Sequence, residues 1–367
     1  MRLLSLILLS LVSAAPAAAQ PTTLSGDLPR KDQRPLQAVL GLVVEYGSVR
    51  TSEGYRLRTI LSRPAGTSAR LPAIFLTQWV SCGSLDFAGD GSDLLRDIAR
   101  RSGMVLIRVE RAGTGDSEGP PCSALDYDTE VRHYREAFDQ LAGHPWIDPA
   151  RIVIFGSSLG ATTAPLVAQG KKVAGVAVQG GGALTYLERM IAFDRLFIER
   201  SGRYRPEQLH DEMLKRIRFH TEYLLAAKTP QEIARRHPEL ADVWQTIRGG
   251  AEAPPHYGRP YAWHWQAARR NFLAAWQKVE APVLAVYGEY DQFETRRGHE
   301  LIVEAVNRVR PGSARLIVIP QADHEIDLYD TPEDAYAYRN PRPGRDLFLE
   351  PMIVWAREVT GLAPRRE

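Results

Sequence analysis

The chain has 367 residues, of which 44% are hydrophobic and 25% charged. That is globular composition, with enough chain to bury a large core in one or two domains. Lys and Arg total 46 against 44 Asp and Glu, and a net charge of +2 gives no reason to expect a nucleic acid or an anionic membrane as partner.

Arg2 precedes an apolar run over 3–12, and Ala17-Ala18-Ala19 precedes Gln20. A positive start, a short apolar stretch and a small-residue cleavage site predict a secretory signal peptide over 1–19, and hence a periplasmic or secreted protein. The run is too short for a permanent membrane helix, and no later stretch is long and apolar enough for one. No Cys follows the small residues, so a lipid anchor is not indicated. Residues 20–41 are polar, hold Pro21, Pro29 and Pro35, and read as an exposed leader.

From residue 42 the pattern becomes β. Residues 43–46 and 55–61 flank Ser52-Glu53-Gly54 as a hairpin. Continuous apolar runs at 71–77, 104–109, 151–155 and 173–178 predict buried strands. Helical spacing at 92–101, 126–142 and 159–168 places helices between them. This alternation stops near Leu184. Residues 184–278 carry amphipathic patterns without a convincing strand, together with His210, His220, His237, His256 and His264. The alternation resumes with strands at 282–287 and 315–319 and helices at 298–309 and 346–360. The expectation is α/β: a doubly wound, mostly parallel sheet built from 42–183 and 279–367, with 184–278 inserted as a helical cap. Tyr186, Phe193, Phe197, Tyr223, Trp263 and Trp265 are candidates for the inner face of that cap.

Gly156-Ser157-Ser158-Leu159-Gly160 matches G-x-S-x-G between a predicted strand and a predicted helix. A sharp strand-to-helix turn lifts a serine hydroxyl out of the sheet, which makes Ser158 the candidate nucleophile. Serine needs a base and an acid to orient it. Asp291 follows one predicted strand through Gly288-Glu289-Tyr290, and His324 follows the next through Pro320-Gln321-Ala322-Asp323. Both fall on loops at strand C-terminal ends, where open α/β sheets place their sites. Glu289 and Asp323 are rivals to Asp291 as the acid, and the histidines of 184–278 are rivals to His324.

The order Ser158, Asp291, His324 and the elbow resemble the α/β-hydrolase superfamily from about residue 43 to 361. Tyr55-Arg56-Leu57-Arg58 through Arg63-Pro64-Ala65-Gly66 resembles the opening of acyl-peptide hydrolases and dienelactone hydrolase-like esterases. Arg111-Ala112-Gly113-Thr114-Gly115-Asp116-Ser117-Glu118-Gly119 resembles a turn of cocaine esterase-like enzymes and X-prolyl peptidases, and does not choose between esterase and peptidase. The resemblance implies backbone oxyanion donors at Leu159 and in the loop after the 71–77 strand. That loop reads Gln78-Trp79-Val80 where the family often has His-Gly-x, so Val80 is the positional match and Trp79 the alternative. It also implies that the 71–77 and 104–109 strands are neighbours, which brings Cys82 and Cys122 to one sheet edge. With export, that predicts a disulfide. Neither an H-E-x-x-H spacing nor a dinucleotide-binding glycine fingerprint occurs in context, so no metal or cofactor is implied. The expected activity is hydrolysis of an ester or related acyl bond in a small-molecule or peptide substrate. A serine peptidase and a non-catalytic binding protein on the same fold are the alternatives.

Overall fold

The computed structural model describes residues 22–31, 35–86, 92–247 and 255–363; the segment 1–19 expected to be a signal peptide lies outside them. Apart from a small antiparallel pair, Asp327–Leu328 with Arg342–Pro343, the strands are β1 (Thr23–Leu24), β2 (Leu42–Arg50), β3 (Arg56–Pro64), β4 (Leu71–Thr77), β5 (Val105–Val109), β6 (Ile147–Ser157), β7 (Gly175–Gln179), β8 (Val283–Gly288) and β9 (Ala314–Ile319). They form one sheet in the order β1-β2-β3-β5-β4-β6-β7-β8-β9. The pairs from β5 to β9 are parallel, while β3 is antiparallel to both β2 and β5. Every residue of β5, β7 and β8 is buried, as strands covered on both faces require.

The helices are α1 (Ser92–Arg101), α2 (Tyr127–Leu141), α3 (Gly160–Ala168), α4 (Tyr186–Arg200), α5 (Pro206–His220), α6 (Pro230–Arg236), α7 (Val243–Thr246), α8 (Tyr261–Ala268), α9 (Phe272–Gln277), α10 (Arg296–Val309), α11 (Pro332–Tyr336) and α12 (Arg345–Val359). Strand residues alternate between two cores. Phe75, Ile107, Ile154, Val178 and Ala285 pack with Phe138 of α2, Ala164 of α3 and Ile302 of α10. Their neighbours Ile74, Leu106, Val153, Ala177 and Leu284 pack with Ile98 of α1 and Met352 of α12 on the other face. The period of two therefore sandwiches the sheet between helical layers.

Between β7 and β8 the described residues form helices joined by loops and turns, and hold no strand. Thr185 and Glu188 close a capping box at the start of α4, fixing where the helical layer begins. This layer has its own core of Phe219, Tyr223, Trp244 and Trp263.

The segment 20–41, read from sequence as an exposed leader, is largely exposed where it is described but is anchored to the sheet. Thr23–Leu24 pairs with β2 as an edge strand, and Leu28 and Val39 are buried. The buried Arg58 guanidinium donates to the Leu28 carbonyl at 2.8 Å, and Asp116 accepts from the Lys31 N–H at 2.7 Å. The prolines and polar residues of this segment gave it loop character. What seats it is main-chain pairing to buried charged groups, which composition does not display.

Cys82 and Cys122 are joined, with Cα atoms 5.8 Å apart and a sequence separation of 40. The bridge ties the loop after β4 to the loop after β5, since those strands are neighbours. A closed loop of that length restricts the unfolded chain by about 4 kcal/mol in the chain-entropy account.

Candidate active site

Ser158 sits between β6 and α3 with φ 52°, a left-handed conformation that side chains rarely adopt. The turn is held there by its surroundings. The Ser158 N–H donates to the Gln179 carbonyl at 2.8 Å. A Cβ on Gly160 would lie 2.0 Å from the Thr77 carbonyl oxygen, and one on Gly156 would lie 2.5 Å from the Gly160 carbonyl oxygen. Both flanking glycines are therefore dictated by close backbone approach, and the serine is pushed out of the sheet.

His324 lies on the loop after β9, with Nε2 2.9 Å from Ser158 Oγ and Nδ1 2.8 Å from Asp291 Oδ2. Asp291, on the loop after β8, is buried and also accepts the N–H groups of Phe293 at 2.7 Å and Glu294 at 2.8 Å. Three residues from three loops thus form one hydrogen-bonded chain. Burial works against the charged Asp291, but His324 and the two N–H donors outweigh it and hold its carboxyl below the usual range. The rivals stand elsewhere. Glu289 accepts the Gln321 N–H at 2.9 Å on the exposed side. Asp323 accepts the N–H groups of Glu325 and Asp327, both at 2.9 Å, as a turn-former, and burial raises it to about 6. Of the histidines between β7 and β8, His256 and His264 stack 3.7 Å apart in a buried aromatic cluster, where burial keeps both neutral. His220 bonds Asp194 at 2.8 Å.

Two residues that motif reasoning did not find complete the frame. Gln179 ends β7, donates from Nε2 to the His324 carbonyl at 2.7 Å and accepts from Ser157 Oγ at 3.2 Å. Gln292 accepts the His324 N–H at 3.2 Å. Neither carries a sequence signal, because an amide side chain at a strand end serves equally well as a turn-former or a surface group.

Ser158 and His324 open into a cavity of about 680 Å³, the size of a small-molecule site. Tyr186, Arg189, Met190 and Phe193, at helical spacing along one face of α4, supply one wall. Trp79, Val80, Leu159, Phe293 and Phe348 are also on its lining. Tyr186 and Phe193 are thus on the cavity wall, whereas Phe197, Tyr223, Trp263 and Trp265 are not. Trp263 is fully buried and donates from Nε1 to Glu130 at 3.1 Å, as buried indoles usually do to some partner. Arg189 pairs with Glu294, linking α4 to the loop that carries Asp291. Burial raises the Glu294 carboxyl to about 7, against the pull of Arg189.

This arrangement has a pH consequence. Burial opposes protonation of His324, but the Asp291 carboxylate and its hydrogen bond, with Glu294 behind, outweigh burial and the repulsion of Arg189. Its pKa therefore lies above the ordinary histidine value. A general base at His324 would have to be neutral, so kcat/KM for a neutral ester is then expected to fall as pH drops through that raised value. The acid limb should lie above about 6.5, and a limb well below that would contradict the geometry.

Sheet order, elbow and cavity define an α/β hydrolase. The chain belongs to the alpha/beta hydrolase family, whose model matches residues 78–337. Among curated proteins it is 36% identical over 115 residues to polyketide transferase ATR5 of Stachybotrys chlorohalonatus, covering 30% of this chain and 35% of that one. It is 30% identical over 114 residues to esterase FrsA of Yersinia pestis, covering 31% and 25% respectively. The matches thus span about a third and a quarter of those relatives. Among solved structures, hypothetical protein PA2218 of Pseudomonas aeruginosa superposes with a TM-score of 0.56 at 16% identity, covering 91% of this chain and 98% of that one. At that identity the likeness concerns the fold. No helix among the described residues is long and apolar enough to cross a membrane.

Proposed function

We propose that the protein is an exported serine hydrolase that cleaves carboxylic esters through an acyl-enzyme on Ser158. The observation that carries this reading is the continuous chain Ser158 Oγ, His324, Asp291, whose Ser158 and His324 line the cavity. Ser158 Oγ attacks the ester carbonyl carbon while His324 Nε2 takes the hydroxyl proton. Asp291 holds the Nδ1–H tautomer and balances the imidazolium charge. The carbonyl oxygen becomes an oxyanion, facing the backbone N–H of Leu159 and that of Val80 in the loop after β4. His324 then gives its proton to the leaving alkoxide, the C–O bond breaks, and the acyl group stays on Ser158. In the second half, water loses a proton to His324 and attacks the acyl carbon, the bond to Ser158 Oγ breaks, Oγ takes the proton back from His324, and the acid is released.

The apolar lining from Met190, Phe193, Phe293 and Phe348 suits the carbon skeleton of an acyl or alcohol group. The match to a protein named as an esterase supports the ester over the amide. The disulfide and the signal-like segment 1–19 favour an oxidising compartment outside the cytoplasm. The test is a panel of nitrophenyl acyl esters of increasing chain length beside aminoacyl nitroanilides. Ester turnover with little amide turnover supports the reading, and a preference for amides with a free amino terminus moves it to a peptidase.

A further inference from the structure

The loop after β4 rests on two buried guanidiniums. Arg111, on the loop after β5, donates from Nη2 to the carbonyls of Gln78 at 3.0 Å and Trp79 at 2.6 Å, and from Nη1 to that of Ser81 at 2.6 Å. Arg259, from the segment between β7 and β8, donates from Nε to the Val80 carbonyl at 3.1 Å. Four successive carbonyls therefore face these two side chains. In a planar trans peptide the N–H of the next residue points opposite to the carbonyl. The N–H groups of Trp79, Val80 and Ser81 are thereby turned away from the guanidiniums. These three residues line the cavity beside Ser158 and Leu159. Successive N–H groups turned to one side make an anion-binding concavity.

Both guanidiniums are gripped by one carboxylate, Glu130 of α2. Its Oε1 accepts from Arg111 Nε at 2.7 Å, and its Oε2 lies 3.2 Å from Arg259 Nη1 and 3.1 Å from Trp263 Nε1. All three charged side chains are buried. Two positive charges and one negative leave an excess of one positive charge behind the loop, in a setting where it is poorly screened. Burial lowers the Arg259 guanidinium only to about 10, so the charge persists at neutral pH. Arg259 also reaches Cys122 Sγ at 3.0 Å, on the bridge that holds the same loop. It follows the turn Pro255–Gly258, whose His256 and Tyr257 have positive φ. That turn is held by Tyr223 Oη on His256 Nδ1 at 2.8 Å and by His264 Nε2 on the His256 carbonyl at 3.1 Å.

We infer that Glu130, Arg111 and Arg259 are positioning residues for the oxyanion donor of the loop after β4, so that the helical cap contributes to the chemical step through Arg259. The inference rests on the serine-hydrolase reading above. It gives the Trp at position 79 a place, since side-chain size at 79 does not matter to a donor set by carbonyls held from behind. Trp79 Nε1 donates to Ser81 Oγ at 2.9 Å, which keeps the indole beside the loop.

The test uses the mature full-length protein, Arg259→Met and Glu130→Gln, with a short neutral ester and an aryl trifluoromethyl ketone, which forms an oxyanion on the nucleophile. Rates are referred to sites titrated with a fluorophosphonate. Losing alignment of one oxyanion donor costs about 10²-fold or more in kcat. The expected result is that loss in kcat with KM within about threefold, and weaker ketone binding by a similar factor. Arg259→Lys, which keeps the charge beside Glu130, recovers part of both and carries the test if the methionine variant does not fold. An unchanged kcat per titrated site, or a rise in KM with no change in ketone affinity, overturns the inference. An unmutated protein that neither titrates nor turns over ester overturns the serine-hydrolase reading instead.

Discussion

Ser158→Ala is expected to lower kcat for an activated ester by about 10⁶-fold, the scale seen when a triad nucleophile is lost, while the protein stays folded. In the proposed mechanism, loss of Oγ leaves His324 no proton to take and no acyl-enzyme forms. The expected structural cost is small. The Ser158 N–H still donates to Gln179, and the close contacts of Gly156 and Gly160 are untouched. Alanine and serine tolerate φ 52° about equally badly. Initial rates and the thermal midpoint, measured on the same preparation, check both halves. A variant with more than about one hundredth of the original rate would move the nucleophile elsewhere.

Asp291→Asn is expected to cost about 10⁴-fold in kcat near neutral pH. Asp291 Oδ2 accepts from Nδ1–H and so leaves Nε2 free to receive the Ser158 proton. An amide whose NH₂ faces Nδ1 selects the opposite tautomer, with the proton on Nε2 and no lone pair for the serine. The other carboxylate oxygen already holds the N–H groups of Phe293 and Glu294, so the asparagine oxygen is drawn there and the NH₂ toward the ring. Glu289→Gln and Asp323→Asn serve as comparisons, because neither carboxylate is bonded to the His324 ring. Each should cost less than about tenfold. A larger loss at either than at Asp291 would reassign the acid.

The parallel part of the fold was legible because buried strands show themselves as short apolar runs. The run predicted at 71–77 is β4, and the G-x-S-x-G begins in the last residues of β6 and runs into α3. The residues that meet at the site were legible for a related reason. A nucleophile elbow, an acid and a histidine each follow a strand, so strand prediction fixed their loops. Arg111 was read only as part of a turn motif, yet its side chain carries three carbonyls of the neighbouring loop. Arg259 reaches Val80 across 179 positions of sequence, a separation at which no local pattern speaks. Trp263 is from sequence only one candidate among several for the inner face of the helical layer, because aromatics there are ambiguous. Its burial and its bond to Glu130 decide that it is core. The edge strand at Thr23–Leu24 is two residues long, below what periodicity can register.

The most direct test of the proposed chemistry is to map the adduct of a fluorophosphonate on the folded protein by mass spectrometry. Tryptic cleavage after Arg151 and Lys171 isolates Ser157 and Ser158 in one peptide, and fragmentation separates them. The account predicts one equivalent of adduct on Ser158, slowed by a competing ester and absent when His324 is replaced by alanine. An adduct on Ser157 or on a serine outside the elbow, or a folded protein that takes up no probe, would contradict it.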